Sequence, residues 1–340
     1  MANSIINAAL VGCGVISGAH MRAWQHVTDS ARVTVCCDVN GALAAQTAEK
    51  WNARSCVEFQ MLLDDPAIQA VDLCLPHHLH AEYAIRAMNA GKHVLCEKPL
   101  AISVQDCRAM IDASVRSGVV LMHGENMRFA ATIAMAADAA ASGEIGDLVG
   151  VQAAYSHYQR AEMNSGWRGD LSLAGGGHLI DGAIHVVDAM RQVAGDIETV
   201  FAACARHRPE LGAASEDTAS LSMRFASGVL GQLFATHAAT GRGGAPVLTL
   251  FGTTGCVSVG SPLGAVVAWY PGSEPNVMMP AYDWQDTFDG EIRNFVDAVN
   301  GIQQLRGTPR DGLLNLAVVL AAYRSAEVMA EVSVAEVLNG

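Results

Sequence analysis

The chain has 340 residues, enough for two domains of ordinary size, and 51% of the residues are hydrophobic while 16% are charged. This apolar content excludes a disordered or fibrous protein, because disordered chains have too few apolar residues to bury. The 34 acidic against 21 basic residues give a formal net charge of −13, which disfavours nucleic acid and anionic membranes as partners. No apolar run reaches the roughly 18 residues of a membrane helix. We therefore expect a globular, cytoplasmic protein.

The first 125 residues alternate short apolar runs with helical stretches of ten or so residues. This alternation predicts β-α-β units, and hence a parallel sheet with helices on both faces. We assign residues 1–125 to a doubly wound domain of the Rossmann type. Predicted strands cover residues 5–11, 33–37, 55–59, 71–75, 93–96 and 119–123. The first predicted helix ends near residue 27, and the others cover residues 41–52, 80–90 and 104–117.

The pattern changes after residue 125, where strands follow one another with few helices between them. This block predicts a largely antiparallel sheet, closed off by two helices near the end of the chain. We assign residues 126–340 to a second, α/β domain that binds the substrate. Predicted strands cover residues 150–158, 200–206, 219–225, 229–238, 247–252 and 265–269, and the final helices cover residues 287–299 and 311–330.

Cysteine placement argues against disulfides and against a zinc site. The sequence has nine cysteines, and none is separated from another by two residues. Cys36, Cys37, Cys74 and Cys96 lie inside predicted strands, where a free thiol behaves as a small apolar side chain. We expect all nine to be reduced.

A glycine-rich turn follows the first predicted strand and opens the first predicted helix. Glycine is needed where the backbone approaches a pyrophosphate at a helix N-terminus. Asp38 ends the second strand, 20 residues after Gly18, where an acid binds the adenosine ribose. Neither Arg nor Lys directly follows Asp38, so NAD is favoured over NADP, although Ser17 departs from the usual fingerprint. The candidate cofactor-binding residues here are Gly12, Gly14, Val15, Ile16 and Asp38.

The segment AGKHVLCEKP at residues 90–99 resembles the A-G-K-H-V-x-x-E-K-P signature of the Gfo/Idh/MocA family of sugar and inositol oxidoreductases. The resemblance extends over most of the chain, because several further family motifs follow in the right order. It implies a Rossmann domain, a second domain with an open, mostly antiparallel sheet, an active site between them, and homodimers or homotetramers formed through that sheet. The other matching segments are residues 12–20, 76–80, 143–146, 167–168 and 175–185.

The resemblance also implies a catalytic set of Lys98, Asp181 and His185. Oxidising an alcohol requires a base for the hydroxyl proton and a group that holds the oxygen. Asp181 and His185 are four residues apart, so they share one face of a helix, and imidazole titrates near neutral pH. We assign His185 as general acid/base, Asp181 as the carboxylate that binds and polarises the substrate, and Lys98 as the group that orients the reacting oxygen.

Further contacts are assigned by position relative to these motifs. A metal site at His77, His78 and His80 is disfavoured, because no nearby carboxylate or cysteine completes it. These histidines are expected to line the nicotinamide pocket and to begin a helix. The remaining cofactor candidates are Pro76, His77, His80, Glu97, Lys98 and Asn126, and the substrate candidates are Lys98, Arg128, His157, Tyr158, Trp167, Arg168, His178, Asp181 and His185.

The favoured function is an NAD-dependent dehydrogenase of a small polyhydroxylated molecule, such as a sugar, an inositol or a sugar acid. One alternative is the opposite reaction, the reduction of a keto-sugar or an aldose. The other is a non-catalytic regulator that senses a dinucleotide or a sugar with the same fold. The presence of all three predicted catalytic residues argues against the regulator, because a sensor does not need a proton-transfer set.

Overall fold

The computed structural model describes residues 5–157, 161–164, 166–212, 214–239, 245–260, 264–281 and 283–340. The chain forms two compact units. The first consists of residues 1–126 and 285–313, and the second of residues 127–284 and 314–340. No described helix is long and apolar enough to cross a membrane.

The first unit is built on a parallel sheet, to which the described residues contribute six strands in the order β3-β2-β1-β4-β5-β6. The order reverses direction between β1 and β4, and ligands of such sheets bind at this point, beyond the carboxyl ends of the strands. The strands are β1 (Ile6–Val11), β2 (Ala31–Cys37), β3 (Arg54–Cys56), β4 (Ala70–Leu73), β5 (His93–Glu97) and β6 (Leu121–Gly124), and the helices of this part are α1 (Ser17–Gln25), α2 (Gly41–Trp51), α3 (Phe59–Asp64), α4 (His80–Asn89) and α5 (Val104–Ser117).

Local sequence signals explain where these helices begin and end. The Asn40 side chain accepts the N–H groups of Ala42 and Leu43, which caps the N-terminus of α2. Ser103 caps α5 in the same way, and Gly118 ends that helix with a φ of +65°. The strands β1, β4, β5 and β6 are almost wholly buried, as a sheet covered by helices on two sides requires, whereas the edge strand β3 is mostly exposed.

The first unit also includes a helix from near the end of the chain, α9 (Trp284–Val299). The Phe288 ring lies 5.3 Å from the His20 ring, and the Phe295 ring meets Trp24 edge-on at 6.3 Å. These contacts attach residues 285–313 to the first unit, whereas the division predicted from the sequence placed them with residues 126–340. The amphipathic pattern of α9 predicted a helix but carried no information about which sheet it would cover.

The second unit contains a sheet of nine strands among its described residues, in the order β14-β13-β12-β11-β7-β10-β9-β8-β15. Adjacent strands are antiparallel except for β7 and β10, which are parallel. Together the two sheets confirm the predicted α/β fold class. The strands are β7 (Leu148–Ser156), β8 (Ile197–Ala205), β9 (Thr218–Phe225), β10 (Leu230–Thr236), β11 (Leu248–Gly252), β12 (Cys256–Val259), β13 (Val266–Trp269), β14 (Asn276–Met278) and β15 (Val332–Ser333), and the helices are α6 (Ala131–Ala141), α7 (Leu171–Ala174), α8 (Ile184–Ala194), α10 (Pro309–Val328) and α11 (Val334–Asn339).

One face of this second sheet is buried and the other is exposed. Along β9, buried and exposed residues alternate, as a strand with one covered face requires. The register of the strands puts a row of large apolar side chains on the uncovered face. This exposed apolar face consists of Phe201, Leu230, Phe234, Phe251, Trp269 and Val277, which are 38–59% exposed.

Candidate functional site

The glycine turn after β1 fits the close approach of a phosphate group. Gly12 has a φ of +91°, and a Cβ at this position would lie 2.3 Å from the backbone oxygen of Cys74, so no other residue fits. A Cβ on Gly14 would meet nothing within 4 Å, which leaves open space beside the turn. The side chains of Val15 and Ile16 are 89% and 37% exposed. The turn therefore has the constricted backbone and the open outer surface that a dinucleotide needs.

The departure at Ser17 does not disturb this turn. The Ser17 hydroxyl donates to the Gly14 carbonyl at 2.6 Å, so the serine side chain forms a hydrogen bond within the turn. The structure thus accommodates the one position where the sequence differs from the usual fingerprint.

Asp38 is held at the carboxyl end of β2, close to the glycine turn. Its Oδ2 accepts the backbone N–H of Cys13 at 2.8 Å, and its Oδ1 accepts that of Asn40 at 2.8 Å. Each carboxylate oxygen has a second lone pair, so the side chain can also accept from two ribose hydroxyls. The geometry fits the adenosine end of NAD.

The Glu97-Lys98-Pro99 segment follows β5, at the same end of the parallel sheet. The Lys98–Pro99 peptide bond is cis. The backbone N–H of Lys98 donates to Oε2 of Glu97 at 3.0 Å. His80 links this segment to the preceding crossover, because its Nδ1 lies 2.8 Å from the Pro99 carbonyl and its Nε2 lies 2.8 Å from the Leu75 carbonyl. Burial lowers the pKa of His80 to about 4, while the Leu75 and Pro99 carbonyl oxygens act in the opposite direction.

The remaining cofactor candidates lie near this segment or at the end of the first unit. The turn beginning at Pro76 contains His77, which is 3% exposed and whose ring lies 5.9 Å from that of His80. The Asn126 amide donates to the Thr287 hydroxyl at 2.7 Å. The structure therefore places these side chains, while their contacts with a cofactor stay predictions.

Asp181 and His185 lie on one continuous helical stretch, but not on the regular helix that the spacing predicts. Residues Leu179–Ala183 form a π-helical turn, and α8 follows directly. Such turns are common at functional sites, because they reorient side chains within a helix. The Arg168 Nε donates to Oδ2 of Asp181 at 3.3 Å. The Arg168 guanidinium also lies 4.2 Å from the centre of the Trp167 ring, so Arg168 contacts both Trp167 and Asp181.

Three histidines form a cluster in the second unit. The ring of His178 lies 5.0 Å from that of His157 and 4.7 Å from that of His237. His178 also stacks on Tyr155, whose ring is 6.4 Å from that of His185. Since β7 and β10 are parallel neighbours, His157 and His237 follow them at the same edge of the sheet. We refer to His157, His178 and His237 as the histidine cluster.

Two members of the histidine cluster, His178 and His237, are neutral and offer polar atoms to a ligand. Burial, reinforced by the neighbouring imidazoles, lowers the pKa of His178 to about 3, and burial also lowers the pKa of His237. Among the described residues, Nε2 of His178 and both ring nitrogens of His237 have no hydrogen-bond partner. Buried polar groups are normally hydrogen-bonded, so these atoms can bond to water or to a polar ligand. Sequence reasoning missed His237, whose only signal is its position after a strand that runs parallel to the one before His157.

Glu216 is a second residue that sequence reasoning missed. Its carboxylate accepts the backbone N–H groups of Gly177 at 3.1 Å and Leu179 at 2.7 Å, which fixes the segment leading to Asp181. A Cβ on Gly177 would lie 2.0 Å from the Glu216 carbonyl, and one on Gly176 would lie 2.2 Å from the Tyr323 hydroxyl. Gly176 and Gly177 are therefore required by close packing. Consecutive glycines were the sequence signal that another residue packs closely against this segment.

Arg128 has a different environment from the other substrate candidates. Its Nη2 donates to Oδ1 of Asp188 at 2.6 Å and its Nε donates to Oδ2 at 2.9 Å, while the residue is only 9% exposed. This bidentate ion pair ties β6's following segment to α8 within the second unit. A structural role explains the geometry, and the substrate role of Arg128 stays a prediction. Tyr158 lies outside the described residues.

The described residues contain one cluster with the spacing of metal ligands, formed by His20, Asp72 and Cys74. Both ring nitrogens of His20 are within hydrogen-bond distance of carboxylates. The imidazole therefore has no nitrogen directed at a metal ion, and the cluster is better described as a hydrogen-bond network.

Comparison with known proteins agrees with this geometry. The family model described as "Oxidoreductase family, NAD-binding Rossmann fold" (GFO_IDH_MocA) matches residues 6–125, and the model of the GFO/IDH/MocA C-terminal domain matches residues 133–258. Levoglucosan dehydrogenase from Pseudarthrobacter phenanthrenivorans is 32% identical over 284 residues, which cover 74% of this chain and 73% of that protein. The 1,5-anhydro-D-fructose reductase of Ensifer adhaerens is 32% identical over 289 residues, covering 83% and 85%.

Among solved structures, levoglucosan dehydrogenase in complex with NADH superposes with a TM-score of 0.90 at 27% identity, covering 97% of this chain and 99% of that one. The complex of the same enzyme with NADH and levoglucosan also gives a TM-score of 0.90. The predicted family resemblance and the predicted cofactor, NAD, are thereby confirmed.

Proposed function

The chain belongs to the GFO/IDH/MocA family of NAD-binding oxidoreductases, and we propose that it transfers a hydride between NAD and a CH–OH group of a sugar-like substrate. The observation that carries the proposal is the histidine cluster, in which the buried, neutral rings of His178 and His237 can bond to hydroxyl groups. The cluster adjoins the predicted catalytic pair, because Tyr155 contacts both His178 and His185. Relatives named for carbohydrate ring substrates support the same class, including a D-glucoside 3-dehydrogenase and an inositol 2-dehydrogenase.

The proposed chemistry divides one oxidation between the residues and the cofactor. When bound, NAD accepts the hydride from the carbon. A ring nitrogen of His185 accepts the hydroxyl proton, and the Asp181 carboxylate accepts a hydrogen bond from a substrate hydroxyl. Lys98 donates to the reacting oxygen and stabilises the negative charge that develops on it. The reduction of a keto-sugar uses the same residues with the proton transfers reversed.

Arg168 and Trp167 have a positioning role in this proposal. The Arg168 guanidinium holds Oδ2 of Asp181 and lies against the Trp167 ring, so the carboxylate is presented in one orientation. A partly exposed pair of this kind has side chains accessible to a ligand, at 34% for Arg168 and 23% for Asp181. We therefore keep both motif residues among the substrate contacts, together with His157 and His178.

The exposed apolar face of the second sheet supports homo-oligomer formation. Soluble monomers rarely leave a contiguous row of aromatic and aliphatic side chains in water. We propose that a second copy of the chain covers Phe201, Phe234 and Phe251, giving a dimer or a tetramer. Phe234→Glu should shift the mass measured by light scattering to that of the monomer, and an unchanged mass would refute the proposed interface.

We also propose a cytoplasmic location, which the cysteines support. All nine are free thiols, and seven of the nine positions lie within the first unit's described residues. Reduced thiols at this density are typical of a reducing compartment.

The function is tested with purified protein, both dinucleotides and a panel of uncharged sugars, anhydrosugars, inositols and sugar acids. If the protein is a dehydrogenase, the absorbance of reduced nicotinamide should increase when it is mixed with NAD and at least one compound of the panel. Keto-sugars are assayed in the reverse direction with NADH. His185→Ala is the negative control, because it should abolish turnover while leaving NADH binding intact. Tight NADH binding without turnover in either direction would instead support a non-catalytic sensor.

A further inference from the structure

A buried chain of hydrogen bonds runs through the first unit toward Lys98. Nδ1 of His20 lies 2.9 Å from Oδ2 of Asp72, and Nε2 of His20 lies 2.8 Å from Oε1 of Glu97. The side chains of His20 and Asp72 are fully buried, and that of Glu97 is 11% exposed. One imidazole thus joins two carboxylates that belong to neighbouring strands, β4 and β5.

His20 places one positive charge between the two carboxylates of this network. Burial on its own would lower the pKa of His20, but the charge and hydrogen bond of Asp72 together with the neighbouring Cys74 side chain outweigh it, and the pKa lies well above its usual value. The imidazolium therefore donates from both nitrogens, one to each carboxylate. Glu291 is also fully buried, and burial raises its pKa well above the usual range, so it adds no further negative charge. The result is a fixed, hydrogen-bonded network instead of a set of repelling acids.

The far end of this network reaches the proposed catalytic segment. Oε1 of Glu97 is held by His20, while Oε2 of the same carboxylate accepts the backbone N–H of Lys98 at 3.0 Å. The orientation of one carboxylate thus depends on His20 and in turn fixes the backbone from which the Lys98 side chain extends. None of these contacts requires His20 to touch a substrate.

We propose that His20 is a positioning residue for Lys98, acting through Glu97. The inference rests on the role that the proposed function gives to Lys98. Catalytic groups must be held to within a fraction of an ångström, and a misplacement of about 1 Å can cost roughly 10²-fold in rate. Loss of the bond between His20 and Glu97 should therefore lower turnover without removing any group that binds NAD.

Two substitutions at one position separate the two hydrogen bonds of His20. The amide nitrogen of Gln reaches the place of Nε2, so His20→Gln keeps a donor to Glu97 and loses the one to Asp72. The amide nitrogen of Asn reaches the place of Nδ1, so His20→Asn keeps the donor to Asp72 and loses the one to Glu97. Both variants lose the positive charge and part of the ring volume, so they differ in which of the two hydrogen bonds is kept.

We expect kcat of His20→Asn to fall by about 10²-fold, with KM for NAD nearly unchanged. His20→Gln should retain turnover within a few-fold of the unaltered protein. Trp24→Phe is the matched control, because it removes another buried donor to Asp72, at 2.8 Å, without touching Glu97. It should keep full turnover. Equal losses in the Asn and Gln variants, at equal thermal stability, would overturn the proposal.

A double-mutant cycle with Lys98→Met completes the test. If His20 acts through Lys98, His20→Asn should slow the Lys98→Met variant no further. If Lys98→Met is itself slow and the turnover losses of the two single variants multiply in the double variant, the role of His20 is refuted and the proposed function stays intact. Full turnover by Lys98→Met would instead refute the role of Lys98 in the proposed function, and the role of His20 with it.

Discussion

The buried ion pair between Arg128 and Asp188 allows a direct test of whether Arg128 stabilises the fold or binds the substrate. In the structure, Asp188 is fully buried and accepts two hydrogen bonds from the Arg128 guanidinium, at 2.6 and 2.9 Å. Arg128→Met keeps much of the apolar stem and removes the charge. A structural role predicts loss of stability, whereas a substrate contact predicts a raised KM at unchanged stability.

The size of the stability loss follows from what remains around Asp188. Removing one partner of a buried ion pair costs about 3–5 kcal/mol, because a charge stays buried without compensation. Two neutral donors remain, the Asn315 amide at 2.7 Å and the Gln192 amide at 2.9 Å. We therefore expect the lower end of the range, about 3 kcal/mol. For a domain of about 150–250 residues this corresponds to a fall in Tm of roughly 6–12 °C.

The assay is thermal unfolding at fixed protein and salt concentration, in parallel with KM for the best substrate. Arg168→Met is the matched control, because the Arg168–Asp181 pair is partly exposed, at 34% and 23%. An exposed pair contributes at most about 1 kcal/mol, so its loss should move Tm little and change the substrate kinetics instead. An Arg128→Met protein with unchanged Tm and a raised KM would show that the structural interpretation is wrong.

Four further predictions follow from the site. The unaltered protein should use NAD at least about tenfold better than NADP, roughly 1.4 kcal/mol, and Asp38→Ala should narrow the ratio of kcat/KM values; equal use of both would remove Asp38 from this role. Lys98→Met should bind NADH normally, measured by fluorescence, while kcat falls by about 10²-fold or more. His185→Ala should lower kcat for oxidation by about 10²-fold or more, because it removes the proposed acceptor of the hydroxyl proton; an unchanged kcat would exclude His185 as that acceptor. His237→Phe should raise KM more than it lowers kcat, and an unchanged KM would exclude His237 from substrate binding.

The parts of the fold and the site that depend on local sequence were predictable. Gly12 and Asp38 belong to one β-α-β unit, and the geometry of that unit is set by short turns and alternating apolar runs. The parallel sheet follows from this regularity, and the position of the nucleotide stays a prediction. Lys98, Asp181 and His185 were assigned through a family resemblance, and their roles stay predictions.

The parts that depend on distant contacts could not be predicted. His237 joins the histidine cluster because β10 pairs in parallel with β7, and the partners Leu230 and Gly150 are 80 positions apart. Glu216 accepts hydrogen bonds from Gly177, 39 positions earlier in the chain, and from Leu179, 37 positions earlier. The π-helical turn before α8 was not predicted either, because the spacing of Asp181 and His185 is that of a regular helix.

The attachment of residues 285–313 to the first unit has a consequence during protein synthesis. Trp24 and His20 are fully buried in the finished structure, partly by Phe295 and Phe288 of α9. A ribosome adding about 5–20 residues per second makes α9 roughly 10–30 s after it has completed residue 126. Throughout that interval the nascent nucleotide-binding half exposes an apolar surface around Trp24. Chaperones that recognise apolar surface have their opportunity in this interval, and a shortened chain ending before α9 would keep the surface exposed permanently.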